Sequence, residues 1–220
     1  MISCVSRLSA FAVVLALLAA GRPALADDKK PLENKKPAED KKPADDKKTE
    51  LTVGDAAPAF AATDDQGKTW KSADHYGKKF VVVYFYPGDF TPGCTAQASA
   101  FRDAMNQLAA QGVEVVGVSG DSAATHEQFK TVQKLNFALL ADEKGELAKQ
   151  FGVPFGKGAK VKVKATGGKP LEIDRAGTAA RWTFIVGKDG KIAYKNTKVT
   201  PAADAKQILE FVSAAEGKKQ

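Results

Sequence analysis

The stretch from Tyr84 to Thr95 reads Tyr-Phe-Tyr-Pro-Gly-Asp-Phe-Thr-Pro-Gly-Cys-Thr and holds the residue whose setting points most directly to reactivity, Cys94. Thr91 is a favoured helix N-cap, and Pro92 suits the first helical position, where its missing N–H would have had no partner in any case. Cys94 then falls in the first turn of a helix. Unpaired backbone N–H groups and the positive end of the helix dipole gather there, so a thiol of ordinary pKa about 8.5 is expected to ionise more readily. A thiolate is a nucleophile, whereas a thiol is hardly one.

Positioning such a cysteine takes a rigid strand before it and a helix after it. Phe80 to Tyr86 is a continuous apolar run, as expected of a strand buried on both faces. The helix from about Thr91 carries Ala98, Phe101, Met105 and Leu108 on one stripe and stops at Gly112. Val113 to Val118 predicts a second strand. After it come a helix with Phe129, Val132 and Leu135 on one face, a short strand over Phe137 to Leu140, and a helical stretch from about Glu143 to Phe151. Ala59 to Ala62 and Lys68 to Trp70, on either side of Asp64-Asp65-Gln66-Gly67, predict a small hairpin. Trp182 to Val186 and Lys191 to Tyr194 flank Gly187-Lys188-Asp189-Gly190 and predict another. Between these parts, Phe155 to Ala180 alternates lysine and valine from Lys160 to Lys164, which predicts an edge hairpin with its lysines outward. Thr200-Pro201 repeats the cap pattern of Thr91-Pro92 ahead of a last helix presenting Ile208, Phe211 and Val212. Buried strands alternating with helices predict a three-layer α/β domain over residues 51–220. The closing hairpin and helix make its central sheet mixed and flanked by helices, the pattern of a thioredoxin-like fold.

The N-terminus has a different character. Residues 1–26 combine Arg7, an apolar run from Leu8 to Ala20 broken by Ser9, and Ala24-Leu25-Ala26 as a small-x-small cleavage site, the form of a signal peptide. A membrane span needs about 20 mostly apolar residues, and Gly21, Arg22 and Pro23 close this run short. The expectation is an exported chain, periplasmic or extracellular, without stable membrane insertion. Residues 27–50 then repeat Lys-Lys pairs with a period of six, from Lys29 to Lys47, among prolines and an equal number of acids. Nothing there repays the entropy of ordering, so this reads as a disordered spacer.

The chain holds two cysteines, Cys4 and Cys94. Cleavage after Ala26 leaves Cys94 alone and excludes an internal disulfide; an unpaired cysteine in an exported protein points to reactivity or to an intermolecular link. The formal charge of +7, from 33 basic and 26 acidic residues, is spread along the chain without an aromatic-interleaved basic stripe, which argues against nucleic-acid binding. His75 and His126 have no ligand spacing, so neither a metal site nor a Cys/His protease pair is expected.

Leu51 to Lys218 resembles a peroxiredoxin of the bacterioferritin comigratory protein subgroup. The family pattern of proline, three residues, threonine or serine, two residues and cysteine is met by Pro87, Thr91 and Cys94. Phe101-Arg102-Asp103, Val-Val-Gly-Val-Ser at 115–119, Gly145-Glu146-Leu147-Ala148 and Phe151-Gly152-Val153 are similar to the subgroup in order and spacing. The resemblance implies that Cys94 is the peroxidatic residue, becoming a sulfenic acid as it takes one peroxide oxygen. It implies a Thr91 hydroxyl on thiolate and peroxide, a Pro87 that shields the sulfur, and an Arg181 that holds the thiolate and stabilises the departing oxygen. Backbone N–H groups of Gly93 and Cys94 are further donors, and Gln97 hydrogen-bonds near the site. Arg102 stays open between contributing to the site's field and forming a surface ion pair with Asp103. Ser99 departs from the pattern, because many relatives carry a resolving cysteine there. Without one, the sulfenic acid must be reduced by an external thiol or a thioredoxin-like partner. No cofactor is implied, and the chain is expected to be a monomer or weak dimer. Two other readings compete, an exported thiol-disulfide oxidoreductase and a redox-inactive thioredoxin-like binding module. The first normally wants Cys-x-x-Cys, and Thr91 stands where the first cysteine would be; the second has no need of Pro87, Thr91, Cys94 and Arg181 together.

Overall fold

The computed structural model of the chain describes residues 50–164 and 170–217. The expected signal peptide, and the spacer up to residue 49, lie outside the described residues.

The apolar run becomes strand β3 (Phe80–Phe85), buried at every position. Its alternation divides the interior. Phe80, Val82 and Tyr84 face one way, into a core shared with Ala98, Phe101 and Leu108 of α1 (Pro92–Ala110), Phe129 of α2 (Ala123–Gln133) and Ile208 and Val212 of α4 (Asp204–Gly217). Val81, Val83 and Phe85 face the other, into a core with Leu147 and Ala148 of α3 (Glu146–Gln150) and with Phe151. A strand with no polar face is what a sheet covered on both sides requires.

Seven strands form the central sheet. β1 (Ala61–Asp64), β2 (Thr69–Lys71), β4 (Val113–Ser119), β5 (Ala138–Ala141), β8 (Trp182–Val186) and β9 (Ile192–Asn196) join β3 in the order β2-β1-β5-β4-β3-β8-β9. β3, β4 and β5 are parallel, while β8 is antiparallel to β3 and β1 to β5, so the sheet is mixed. Helices on both faces of such a sheet give the thioredoxin-like fold that the sequence predicts.

Three local expectations are corrected. The 155–180 segment is not an edge of the main sheet; β6 (Phe155–Lys164) and β7 (Pro170–Ala179) pair with each other as a separate two-stranded sheet. Leu135 lies beyond α2, because Lys134 turns left-handed at φ 53° and ends the helix without a glycine to announce it. Thr200 makes no side-chain cap; Pro201–Ala203 form a single 3₁₀ turn, and α4 begins only at Asp204.

Candidate active site

Strand direction decides which residues meet. Because β3 and β4 run parallel, their carboxyl ends release the Pro87 loop and Gly120-Asp121 side by side at one edge of the sheet. Crevices at carboxyl ends of strands are where open α/β sheets hold ligands. β8 runs the opposite way, pairing Trp182 with Phe85, so its first residues arrive at the same edge. Arg181, immediately before Trp182, is thereby carried to the start of α1.

There its Nη2 donates to Cys94 Sγ at 3.1 Å. The sulfur belongs to a residue only 1 % exposed, in the first turn of a long helix. Gly93 lies against the same guanidinium, and a Cβ on it would stand 3.4 Å from Nη2. Nη1 donates to Gln97 Oε1, one turn further along α1. The fork of an arginine suits this double engagement, because its planar donors keep a fixed relation to each other.

Gln97 is in turn held from behind. Its Nε2 donates to Asp204 Oδ2 at 2.7 Å, and the Thr183 hydroxyl donates to the same oxygen at 2.8 Å. With the amide nitrogen engaged by a carboxylate, the amide oxygen must face Arg181. Arg181 and Thr183 lie two residues apart and so share one side of an extended segment. Asp204 is fully buried, and its Oδ1 has no hydrogen-bond partner among the described residues. Burial raises its pKa above the ordinary carboxylate value, against the opposing effects of Thr183, Gln97 and Arg181. Asp204 and Thr183 were not legible as site residues. A polar residue at a helix start looks like any first-turn acid, and only the chain's path brings it to Gln97.

Thr91 occupies the N-cap position with extended backbone, and its carbonyl accepts from Thr95 N–H at 2.9 Å, but its side chain makes no capping bond. The hydroxyl instead donates to the Gly88 carbonyl at 3.1 Å. With its proton committed there, the oxygen keeps its capacity to accept. The residue before it, Phe90, is held at φ 60° with its ring edge-on to Phe129 at 5.0 Å. A bulky residue with positive φ is strained, and such strain persists where surrounding packing over-determines the backbone. Pro87, half-buried, leads the chain from β3 into this loop.

Other candidates fall elsewhere. Arg102 pairs with Asp103 at 2.9 Å and donates to the Gln133 carbonyl at 2.7 Å, tying α1 to the end of α2. His75 stacks on Trp70 at 4.3 Å and meets Glu114 at 2.9 Å. Ser99 is half-buried on α1, five residues beyond Cys94.

Residues 53–195 match the model of the AhpC/TSA family. Over 167 residues the chain is 40% identical to chloroplastic peroxiredoxin Q of Oryza sativa subsp. japonica, covering 75% of this chain and 68% of that protein. It is 37% identical to the chloroplastic peroxiredoxin Q of Arabidopsis thaliana, covering 76% and 69%. Among solved structures, peroxidoxin BcpB of Mycobacterium tuberculosis superposes with a TM-score of 0.62 at 28% identity, covering 74% of this chain and 97% of that one. The bacterioferritin comigratory protein of Xanthomonas campestris, whose structures concern its alkyl peroxide reduction activity, gives 0.60 at 26%, covering 74% and 99%. The chain belongs to the AhpC/TSA family, within it to the peroxiredoxins of the bacterioferritin comigratory protein, or Q, group, and it is a thiol-dependent peroxidase.

Proposed function

We propose that the protein reduces hydrogen peroxide and small organic hydroperoxides with Cys94 as the peroxidatic residue and Arg181, Thr91 and Pro87 completing the site. The thiolate attacks one peroxide oxygen, the O–O bond breaks with its electron pair on the other oxygen, and that oxygen leaves as water or alcohol after taking a proton. Cys94 is left as a sulfenic acid. Arg181 spans sulfur and departing oxygen, where a fixed positive donor lowers the barrier because charge develops at a place it already faces. Thr91, with its proton on Gly88, accepts from the peroxide O–H and orients it. Pro87 keeps water from the sulfur, and the backbone N–H groups of Gly93 and Cys94 add donors near the reacting atoms. The observation that carries this reading is the 3.1 Å contact between Arg181 and the sulfur, braced through Gln97 and Asp204.

With serine at 99, recycling falls to an external thiol or a thioredoxin-like protein. That thiol attacks the sulfenic sulfur, water leaves, and a second thiol frees Cys94 from the mixed disulfide. Stoichiometric peroxide is expected to convert the reduced protein within seconds to a species one oxygen atom heavier, trapped at Cys94 by a sulfenic-acid probe. Oxidation as slow as that of a free thiol would overturn the assignment.

Residues 51–220 act as one catalytic domain on the 27–50 spacer, as a monomer or weak dimer, a state read directly by sedimentation. Residues 1–26 direct export, so the protein recovered from the periplasm or medium should begin at Asp27. The named relatives are chloroplastic; recovery from a plastid instead would overturn the exported reading.

A further inference from the structure

β7 alternates strictly. Glu172, Asp174 and Ala176 face solvent, while Ile173, Arg175, Gly177 and Ala179 are buried. An arginine on the inward row of a strand is the exception that asks for a partner, and Arg175 has two. Its Nε donates to Asp121 Oδ1 at 2.8 Å and its Nη2 to the Asp89 carbonyl at 2.9 Å. Asp89 lies inside the Pro87-to-Thr91 loop, and Asp121 follows β4 at the same edge of the sheet.

The connections converge on one peptide unit. The Asp89 N–H donates to Asp121 Oδ2 at 2.8 Å, and the carbonyl of the same unit, from Gly88, accepts the Thr91 hydroxyl at 3.1 Å. Arg175 on Oδ1 and the Ser119 hydroxyl on Oδ2 at 2.7 Å together fix Asp121, Asp121 fixes the peptide, and the peptide orients the hydroxyl. The Asp89 side chain is anchored separately, by the Tyr86 hydroxyl at 2.7 Å and His126 Nδ1 at 2.8 Å. His126 Nε2 meets the Leu140 carbonyl at 3.2 Å, so both ring nitrogens face oxygens. Burial opposes a charge on the ring, but Asp89, Asp121 and the Leu140 carbonyl together raise the His126 pKa. Arg175 and His126 thus face Asp121 and Asp89 beneath the loop, all four side chains buried.

The hairpin is also fitted to this place. A Cβ on Gly88 would overlap the Arg175 guanidinium, and one on Gly120 would overlap the Gly177 carbonyl. Ile173 joins the core that contains Phe90 and Phe129. Of the outward lysines, Lys160 pairs across the hairpin with Asp174 at 3.9 Å and Lys162 with Glu172 at 3.6 Å, and exposed pairs of this kind hold little.

We propose that the β6–β7 hairpin clamps the peroxidatic loop and that Arg175 is a positioning residue for peroxide reduction, acting through Asp121 and the Gly88–Asp89 peptide on the Thr91 hydroxyl. This rests on the reading of Cys94 as the peroxidatic residue. The clamp also controls access. Cys94, only 1 % exposed, cannot be reached by a bulky thiol unless the loop opens, so the contact that favours attack on peroxide retards the reductant's approach.

The test compares the full chain with Arg175→Met and with the double variant Arg175→Met/Asp121→Asn, which removes both buried charges together and so guards against a fold lost to an unpaired carboxylate. Three quantities are read: the second-order rate of Cys94 oxidation by peroxide, the rate of its modification by a bulky maleimide, and amide hydrogen exchange. In both variants oxidation is expected to slow about 10- to 100-fold, the scale of a slight misplacement of reacting groups. Maleimide modification should accelerate, and faster exchange should be confined to residues 87–95. Oxidation at the wild-type rate, or exchange rising equally in β3, β4 and the loop, would overturn the proposal. Should wild-type Cys94 itself fail to react with peroxide, the peroxidase assignment fails instead, and exchange and maleimide modification still decide whether Arg175 clamps the loop.

Discussion

Replacing Cys94 with serine is expected to reduce thiol-dependent peroxide consumption to the uncatalysed background while leaving the fold intact. The oxygen cannot substitute for the sulfur, since a serine hydroxyl stays protonated near neutral pH and has no base beside it to change that; the neighbour here is a cation, Arg181. The fold should survive because the exchange is nearly isosteric and a hydroxyl oxygen accepts the guanidinium N–H that the sulfur accepts. The only other cysteine in the sequence is Cys4, within the stretch proposed to be removed on export. The measurement is peroxide consumption with an excess of small thiol, paired with thermal unfolding of the variant. Turnover above background in a folded Cys94→Ser protein would move the chemistry to another residue.

Arg181→Met should slow the oxidation of Cys94 by about 10²- to 10³-fold, the typical loss when one preorganised donor to a developing anion is removed. Methionine keeps much of the length and apolar stem, so the change isolates the guanidinium. Arg181→Lys should recover only part of the rate, because a single ammonium cannot hold Gln97 and Cys94 in the geometry of a planar fork. Single-turnover oxidation is the proper readout, since it excludes the reductant. A methionine variant within a few-fold of wild type would mean that the 3.1 Å contact anchors the reduced sulfur without assisting bond breaking.

How far these residues are legible in the sequence follows from what holds each in place. Cys94, Thr91 and Pro87 sit within one strand-loop-helix passage, where local rules of capping and burial operate. β3 was plain because seven successive large apolar side chains admit few other readings. Arg181 became visible only through resemblance, since nothing local separates it from a surface arginine. Asp204 was hidden because the Thr200-Pro201 pattern suggested a helix start three residues too early, which made Asp204 an ordinary polar position inside it. Arg175 was hidden for a different reason. The lysine-valine alternation marks β6, whereas the informative row is Leu171, Ile173, Arg175, Gly177 and Ala179 on β7, where a charged residue stands in apolar register. Long-range ion pairs leave no periodicity to read; the positive φ of Phe90 and the left-handed end of α2 at Lys134 leave none either, because neither residue is a glycine.

Ser99 has one more consequence, which concerns the helix and not the sulfur. A residue five places along an α-helix lies about 7.5 Å further up its axis and on another side, whereas a disulfide needs the two Cα atoms within about 7 Å. A chain with cysteine at 99 would have to unravel the start of α1 to close such a bridge. This chain never has to. With serine there, no disulfide to position 99 asks α1 to unravel, so any opening around Cys94 is demanded by an incoming reductant and not by a bridge across the helix.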